Sequence, residues 1–240
     1  MSLVPITNAG QYGIVKDINP WQLPPNAWTE GNNIRAEHNA IQKSPGYLEV
    51  MASCPVDPYY ITNLEAGGAN YWIVGGLAKI YVHNGTIWTD ITRASGGDYS
   101  ATARENWTAT VLGGILVMSN GYDDPQFWAL TAGVPSVATK MADLTYWPAS
   151  TECKSLRAFK SFLIALNVTK STVPYTSLVK WSTAAATQAV PVSWDETSAT
   201  VDAGEYALED SKGIIVDGLP LRGDFMIYKQ YSTYKMSYVG

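Results

Sequence analysis

Two acidic clusters hold the side chains with the widest chemical reach. Asp123-Asp124 stands directly before Pro125, where paired carboxylates could open a calcium loop. Such a loop needs further oxygen ligands at alternate positions, and none follows, so the pair is read as a turn. Asp195-Glu196 follows Trp194, with Asp202, Glu205, Glu209 and Asp210 close behind. Two carboxylates about 5 or 9 Å apart across a cleft would suit glycoside hydrolysis. Nothing in their spacing places them so, and the run is taken as a solvated acidic loop.

The remaining reactive types are scattered. His38 and His83 share no metal-ligand spacing with each other or with Cys54 and Cys153, which are 99 positions apart. Two distant cysteines suit reduced, buried thiols better than a disulfide framework or a zinc site. There is no Gly-x-Ser-x-Gly elbow and no phosphate-binding glycine loop. Asn84-Gly85-Thr86, Asn106-Trp107-Thr108 and Asn167-Val168-Thr169 match glycosylation sequons by chance in a threonine-rich chain. No catalytic, metal or cofactor-binding residue is assigned, and the expectation is a protein that is not an enzyme and carries no cofactor.

Aromatic residues carry the structural argument instead. Trp72, Trp88, Trp107, Trp128, Trp147, Trp181 and Trp194 are spread along the chain. An exposed row of them would suit sugars or bases. The preferred reading packs them between sheets, each indole N–H bonded at the rim.

The sequence around these residues is a series of strands. Tyr71–Thr92 is the clearest unit: Tyr71–Val74 stops at Gly75-Gly76, then Lys79–His83 alternates apolar and polar. Asn84-Gly85 joins it to Thr86–Thr92 as an expected two-residue hairpin loop. Further pairs follow at Trp107–Leu112 with Ile115–Ser119, turned at Gly113-Gly114, and at Leu156–Phe159 with Phe162–Asn167. Asn120-Gly121 turns the chain toward Gln126–Leu130, and Ser177–Ser182, Gly213–Val216, Asp224–Tyr228 and Thr233–Val239 complete the set.

The second strands start at Tyr71, Ile115, Phe162 and Asp224, at intervals of 44, 47 and 62 residues. A period of about 40 to 50 with several strands in each is the mark of a β-propeller. The longer third interval would hold an insertion, Thr183–Glu205. The fold class expected is all-β, with propeller-like repeats of antiparallel meanders, several blades and a ring incomplete in this chain. A sandwich of similar strands is the rival. Residues 1–27, with Pro5, Pro20, Pro24 and Pro25, form an extended arm before a propeller-like domain at 28–240. Its Ile14, Val15, Ile18, Trp21 and Leu23 favour docking against a surface. Thr233–Val239 leaves an open edge on the last sheet, a pairing liability.

Composition narrows the class of function. Hydrophobic residues are 46% of the 240 and charged ones 15%, with a net charge of −5. That balance supplies a core and gives no basic footprint for gripping phosphate. The start of the chain has no basic, apolar signal pattern. The longest apolar run, Phe162–Leu166, is far too short to span a bilayer, so no membrane insertion by this chain is expected.

In order, these segments resemble the tail nozzle (tail tubular, or stabilization) proteins of short-tailed bacteriophages. Ala27-Trp28-Thr29-Glu30-Gly31-Asn32-Asn33-Ile34-Arg35 with Ser44-Pro45-Gly46-Tyr47 is similar to the family's opening segment. Ile80-Tyr81 with Gly85-Thr86-Ile87-Trp88-Thr89-Asp90-Ile91-Thr92 is similar to its first full meander. Asn106-Trp107, Val117-Met118-Ser119-Asn120-Gly121 and Asp124-Pro125-Gln126 resemble its "Trp … Asn-Gly … Pro-Gln" stretch. Val179-Lys180-Trp181-Ser182 with Trp194, and Tyr234–Gly240, resemble later strands. The turn at Glu37-His38-Asn39 departs from the pattern by lacking a glycine. The resemblance also implies a longer chain, since such proteins usually run well beyond the 240 residues given.

The resemblance implies a structural subunit of the virion, assembled in the host cytoplasm as a homo-oligomer of six copies. It would meet the portal and adaptor ring above and tail fibres or spikes outside, while genomic DNA passes through the lumen without specific binding. The residues expected to act structurally, as packed indoles or turn positions, are Trp72, Asn84, Gly85, Trp88, Trp107, Asn120, Gly121 and Trp181. The alternative is a carbohydrate-binding or carbohydrate-cleaving propeller, a receptor-binding or depolymerase module.

Overall fold

The computed structural model of the chain describes residues 5–101 and 107–239. Met1–Val4 of the arm, Asn106 of one sequon and Gly240 lie outside the described residues. The chain divides into two compact units, Met1–Val50 and Met51–Gly240.

The first unit is built on a hairpin of β1 (Ile34–Glu37) and β2 (Ala40–Lys43), paired in register from Ile34↔Lys43 to Glu37↔Ala40. Its two loop residues, His38 and Asn39, take φ of 51° and 61°. Successive positive φ values give the turn that matches strand twist, so His-Asn performs here what a glycine pair usually does. The arm folds back on this hairpin. Gly10 N–H donates to Asn39 O at 2.9 Å, and the Trp28 indole donates to Ala9 O at 2.6 Å. Ile14 bridges Trp28 in parallel, and Pro20–Gln22 winds one 3-10 turn capped by Asn19. Of the arm's apolar residues, Ile14, Ile18 and Trp21 are exposed, and Val15 and Leu23 are half-buried.

The second unit is all-β: its described residues form four larger antiparallel sheets in chain order and one small two-stranded sheet. The first holds β3 (Tyr60–Ala66), β4 (Ala69–Gly75), β5 (Ile80–His83) and β6 (Trp88–Asp90) as a simple meander. The second holds β7 (Thr108–Leu112), β8 (Ile115–Ser119) and β9 (Gln126–Trp128). A side hairpin of β10 (Leu130–Thr131) and β11 (Val134–Pro135) then leads back to β12 (Met141–Asp143) at its edge. The third holds β13 (Thr151–Phe159), β14 (Phe162–Lys170), β15 (Val173–Trp181) and β16 (Gly204–Ala207). The fourth has three strands, β17 (Ile215–Leu221), β18 (Asp224–Lys229) and β19 (Thr233–Ser237).

Adjacent sheets share cores, so the central strands β8 and β14 are buried on both sides. In β8 every residue is buried: Leu116 and Met118 join the core shared with the first sheet, Ile115 and Val117 the core shared with the third. In β14, Leu163 and Ala165 face the second sheet while Phe162, Ile164 and Leu166 face the fourth. Continuous apolar runs, rather than alternation, are what two-sided burial demands. The sheets meet chiefly through their first strands: β3 packs on β7, β7 on β13, and β13 on β17.

Two turn expectations change. The Asn84-Gly85 loop has four residues, because β5 and β6 pair only from His83↔Trp88 inward. The Asn84 carboxamide oxygen accepts from the N–H groups of Thr86 and Ile87, both at 3.0 Å, and this side-chain turn replaces the two-residue one. Gly75-Gly76 is not a positive-φ turn. A Cβ on Gly75 would stand 3.3 Å from the Trp107 ring, so the glycine permits close approach of that indole. Gly113-Gly114 does form the expected tight turn, with φ of 55° and 89°.

Candidate functional site

The densest group of ionisable side chains lies on the third sheet. Lys180 on β15 is 1% exposed and pairs across the ladder with Glu205 on β16. Lys170, at the end of β14, holds both Glu205 oxygens, at 2.6 and 2.7 Å. Glu196, from the loop between β15 and β16, accepts from Lys170 at 3.2 Å and from Lys180. Two ammoniums therefore neutralise two carboxylates. Burial alone would raise the Glu196 carboxyl, but hydrogen bonds from Lys180 and Lys170 outweigh it and hold it at about 2. For Lys170 burial works downward and its two glutamates win, raising it.

This places the acidic run Asp195–Asp210. Glu196 and Glu205 are brought together, yet through lysines rather than across an open cleft. Asp195 is exposed and caps its own turn, accepting from Thr197 N–H at 2.9 Å. Asp202 offers its backbone carbonyl to the Trp181 indole at 2.8 Å. The chemical capacity of the cluster is that of a clasp, fastening the 183–203 loop onto the sheet.

The Asp123-Asp124 pair splits between roles. Asp123 accepts from Arg93 at 3.0 Å, from Ser100 N–H at 2.8 Å and from Asn120 at 2.7 Å. It thereby ties the segment after β6 to the second sheet's loop. Asn120 shapes that loop, its carboxamide oxygen accepting from Tyr122 and Asp123 N–H, and Gly121 follows at φ 76°. Burial raises Asp124, and Asp143 nearby adds to it. Among the described residues no group of three or more His, Cys, Asp or Glu could hold a metal ion.

Most of the tryptophans serve the packing role. Trp107 donates to Gly76 O at 2.7 Å, Trp128 to Thr139 O at 2.9 Å, Trp147 to Thr151 O at 2.7 Å and Trp88 to Ala52 O at 2.7 Å. Trp72 on β4 is half-exposed. Trp194 stacks edge-on against Trp147, centroids 4.7 Å apart, and its buried indole N–H has no partner among the described residues. His83 is buried, its Nδ1 accepting from Gly85 N–H, whereas His38 is exposed in its turn. Cys54 and Cys153 are both free thiols. Burial pushes the Cys153 thiol up to about 12, with a hydrogen bond to Ser119 only partly opposing it.

Sequence reasoning missed the polar ties between sheets. Arg157 on β13 reaches Asp217 on β17 and donates to Ala109 O on β7 at 3.0 Å. Beside it, Leu156 and Ala158 N–H groups donate to the hydroxyls of Thr108 and Thr110 on β7. An arginine and an aspartate inside apolar strands were the available signal; their pairing across 60 residues was not. No described helix is long and apolar enough to cross a membrane.

No family model and no curated protein matches this chain. Among solved structures, the computationally designed Ika4 protein aligns with 81% of this chain and 100% of its own, at 9% identity and a TM-score of 0.44. A likeness of that size carries no argument about this chain.

Proposed function

We propose that the chain is a wall subunit of a phage tail nozzle, one of six copies around the channel below the portal and adaptor. In this reading the four sheets are blades of a propeller-like platform. The observation that carries it is the succession β3, β7, β13 and β17, each first strand packed on the next while its meander continues outward. Residues that bear the family resemblance do mechanical work: Trp88, Trp107 and Trp181 bond backbone carbonyls, and Asn120 closes a loop.

Stiffness and charge both suit a conduit. Three cores laminated between four sheets resist bending, since closely packed interiors compress little. A net charge of −5 gives a passing duplex little to adhere to. The carbohydrate reading gains no support from the acidic run, where lysines occupy the two glutamates. Cryo-electron microscopy of assembled particles tests the proposal. Density for this chain coaxial with the portal supports it; density confined to peripheral spikes or fibres overturns it.

A further inference from the structure

The fourth sheet lacks what its three neighbours have. Among the described residues each of those carries four strands and the fourth sheet three, so β19, paired with β18, stands at its edge. Alongside its free edge runs an apolar groove against the third sheet, in two stretches of about 280 and 450 Å³ that share Trp181 and Met236. Phe162, Ile164, Tyr234 and Tyr238 add to its lining. On β19 the side chains alternate: Tyr234 and Met236 are half-buried toward the groove, and Lys235 is exposed.

The chain also holds an extended stretch with the matching pattern. Tyr47, Leu48 and Val50 are 106%, 86% and 81% exposed, in a segment assigned to no strand. Laid as a strand, Leu48 and Val50 share one face, and Glu49 lies on the other with Tyr47.

We propose that Tyr47–Val50 of a second copy of this chain adds to β19 as the fourth strand of the last sheet. Backbone groups of the free edge gain partners, Leu48 and Val50 enter the groove, and Glu49 comes beside Lys235. The contact is head-to-tail, since the donating and receiving surfaces differ, and repeated around an axis it closes a ring. Four residues bury less than a stable pair needs, so the contact gains strength from closure. The inference needs no virion: a ring built on other contacts would leave the nozzle proposal standing and overturn this one.

Disulfide trapping tests it in the full chain. Two differently tagged proteins, both Cys54→Ser, carry Glu49→Cys and Lys235→Cys respectively, and are mixed under mild oxidation. Opposed cross-strand positions stand close enough to bridge. The expected result is a mixed-tag dimer that is lost when Leu48→Asp and Val50→Asp are added to the donor. All four positions are exposed or extended, and circular dichroism checks that each variant folds. Absence of the mixed dimer, or its persistence in the Asp variant, overturns the proposal.

Discussion

Arg157 and Asp217 meet fork to fork, Nε to Oδ1 at 2.9 Å and Nη2 to Oδ2 at 2.6 Å, joining the third sheet to the fourth. Ser155 adds a hydrogen bond to the same carboxylate at 2.6 Å. Because the guanidinium also binds Ala109 O, three successive first strands converge on one side chain. Asp217→Asn keeps the shape and removes the charge, leaving Arg157 partly buried without its counterion. The expected loss is about 2 kcal/mol in urea unfolding. Arg157→Met combined with Asp217→Asn should cost less than the two single changes summed, as coupled groups do.

The indoles separate into bonded and unbonded ones. Trp107→Phe removes the donor to Gly76 O and orphans a buried carbonyl, with an expected cost of about 1–3 kcal/mol beyond the change in packing. Trp194→Phe removes an N–H that has no partner among the described residues, so its cost should be the smaller of the two. Equal midpoints in denaturant for the two variants would contradict this.

Acid should loosen the third sheet before it unfolds by other routes. The Glu196 carboxyl lies at about 2 when folded against an ordinary 4.5. Its contribution is therefore complete above the ordinary value and is lost as pH falls toward 2. Asp217, lowered as burial is outweighed by Arg157 and Ser155, acts in the same direction. Wild-type stability should fall from about pH 5 downward, and Glu196→Gln should flatten that slope while lowering stability at neutral pH. An unchanged slope would remove the clasp from the account.

The thiols should differ in reactivity. Cys153 is 1% exposed with a raised thiol, while Cys54 is half-buried. An aromatic disulfide reagent at pH 8 should titrate one thiol in the native protein, lost in Cys54→Ser, and two after unfolding.

Strand positions were legible wherever burial imposed a pattern. Tyr71, Ile115, Phe162 and Asp224 each lie on the second strand of a sheet; Ile115 and Phe162 open continuously buried apolar runs, whereas the strands of Tyr71 and Asp224 show themselves by alternating burial. Edges were not legible. Met141–Asp143 and Gly204–Ala207 are three and four residues long, with little apolar content to mark them. Thr151–Lys154 opens β13 with polar residues, so the sequence pattern began only at Leu156. The 183–203 loop was visible as an insertion, yet Glu196 closing on Lys180 depends on where the loop folds back, which local composition does not encode. Arg157 with Asp217 fails to show for the same reason: partners 60 residues apart are matched by sheet stacking.

The account rests on copies of this chain enclosing a channel, and imaging the purified protein tests that most directly. Single-particle electron microscopy should show rings of six copies with an open axis. A population of monomers at assembly concentrations, or a closed oligomer with no central passage, would contradict it.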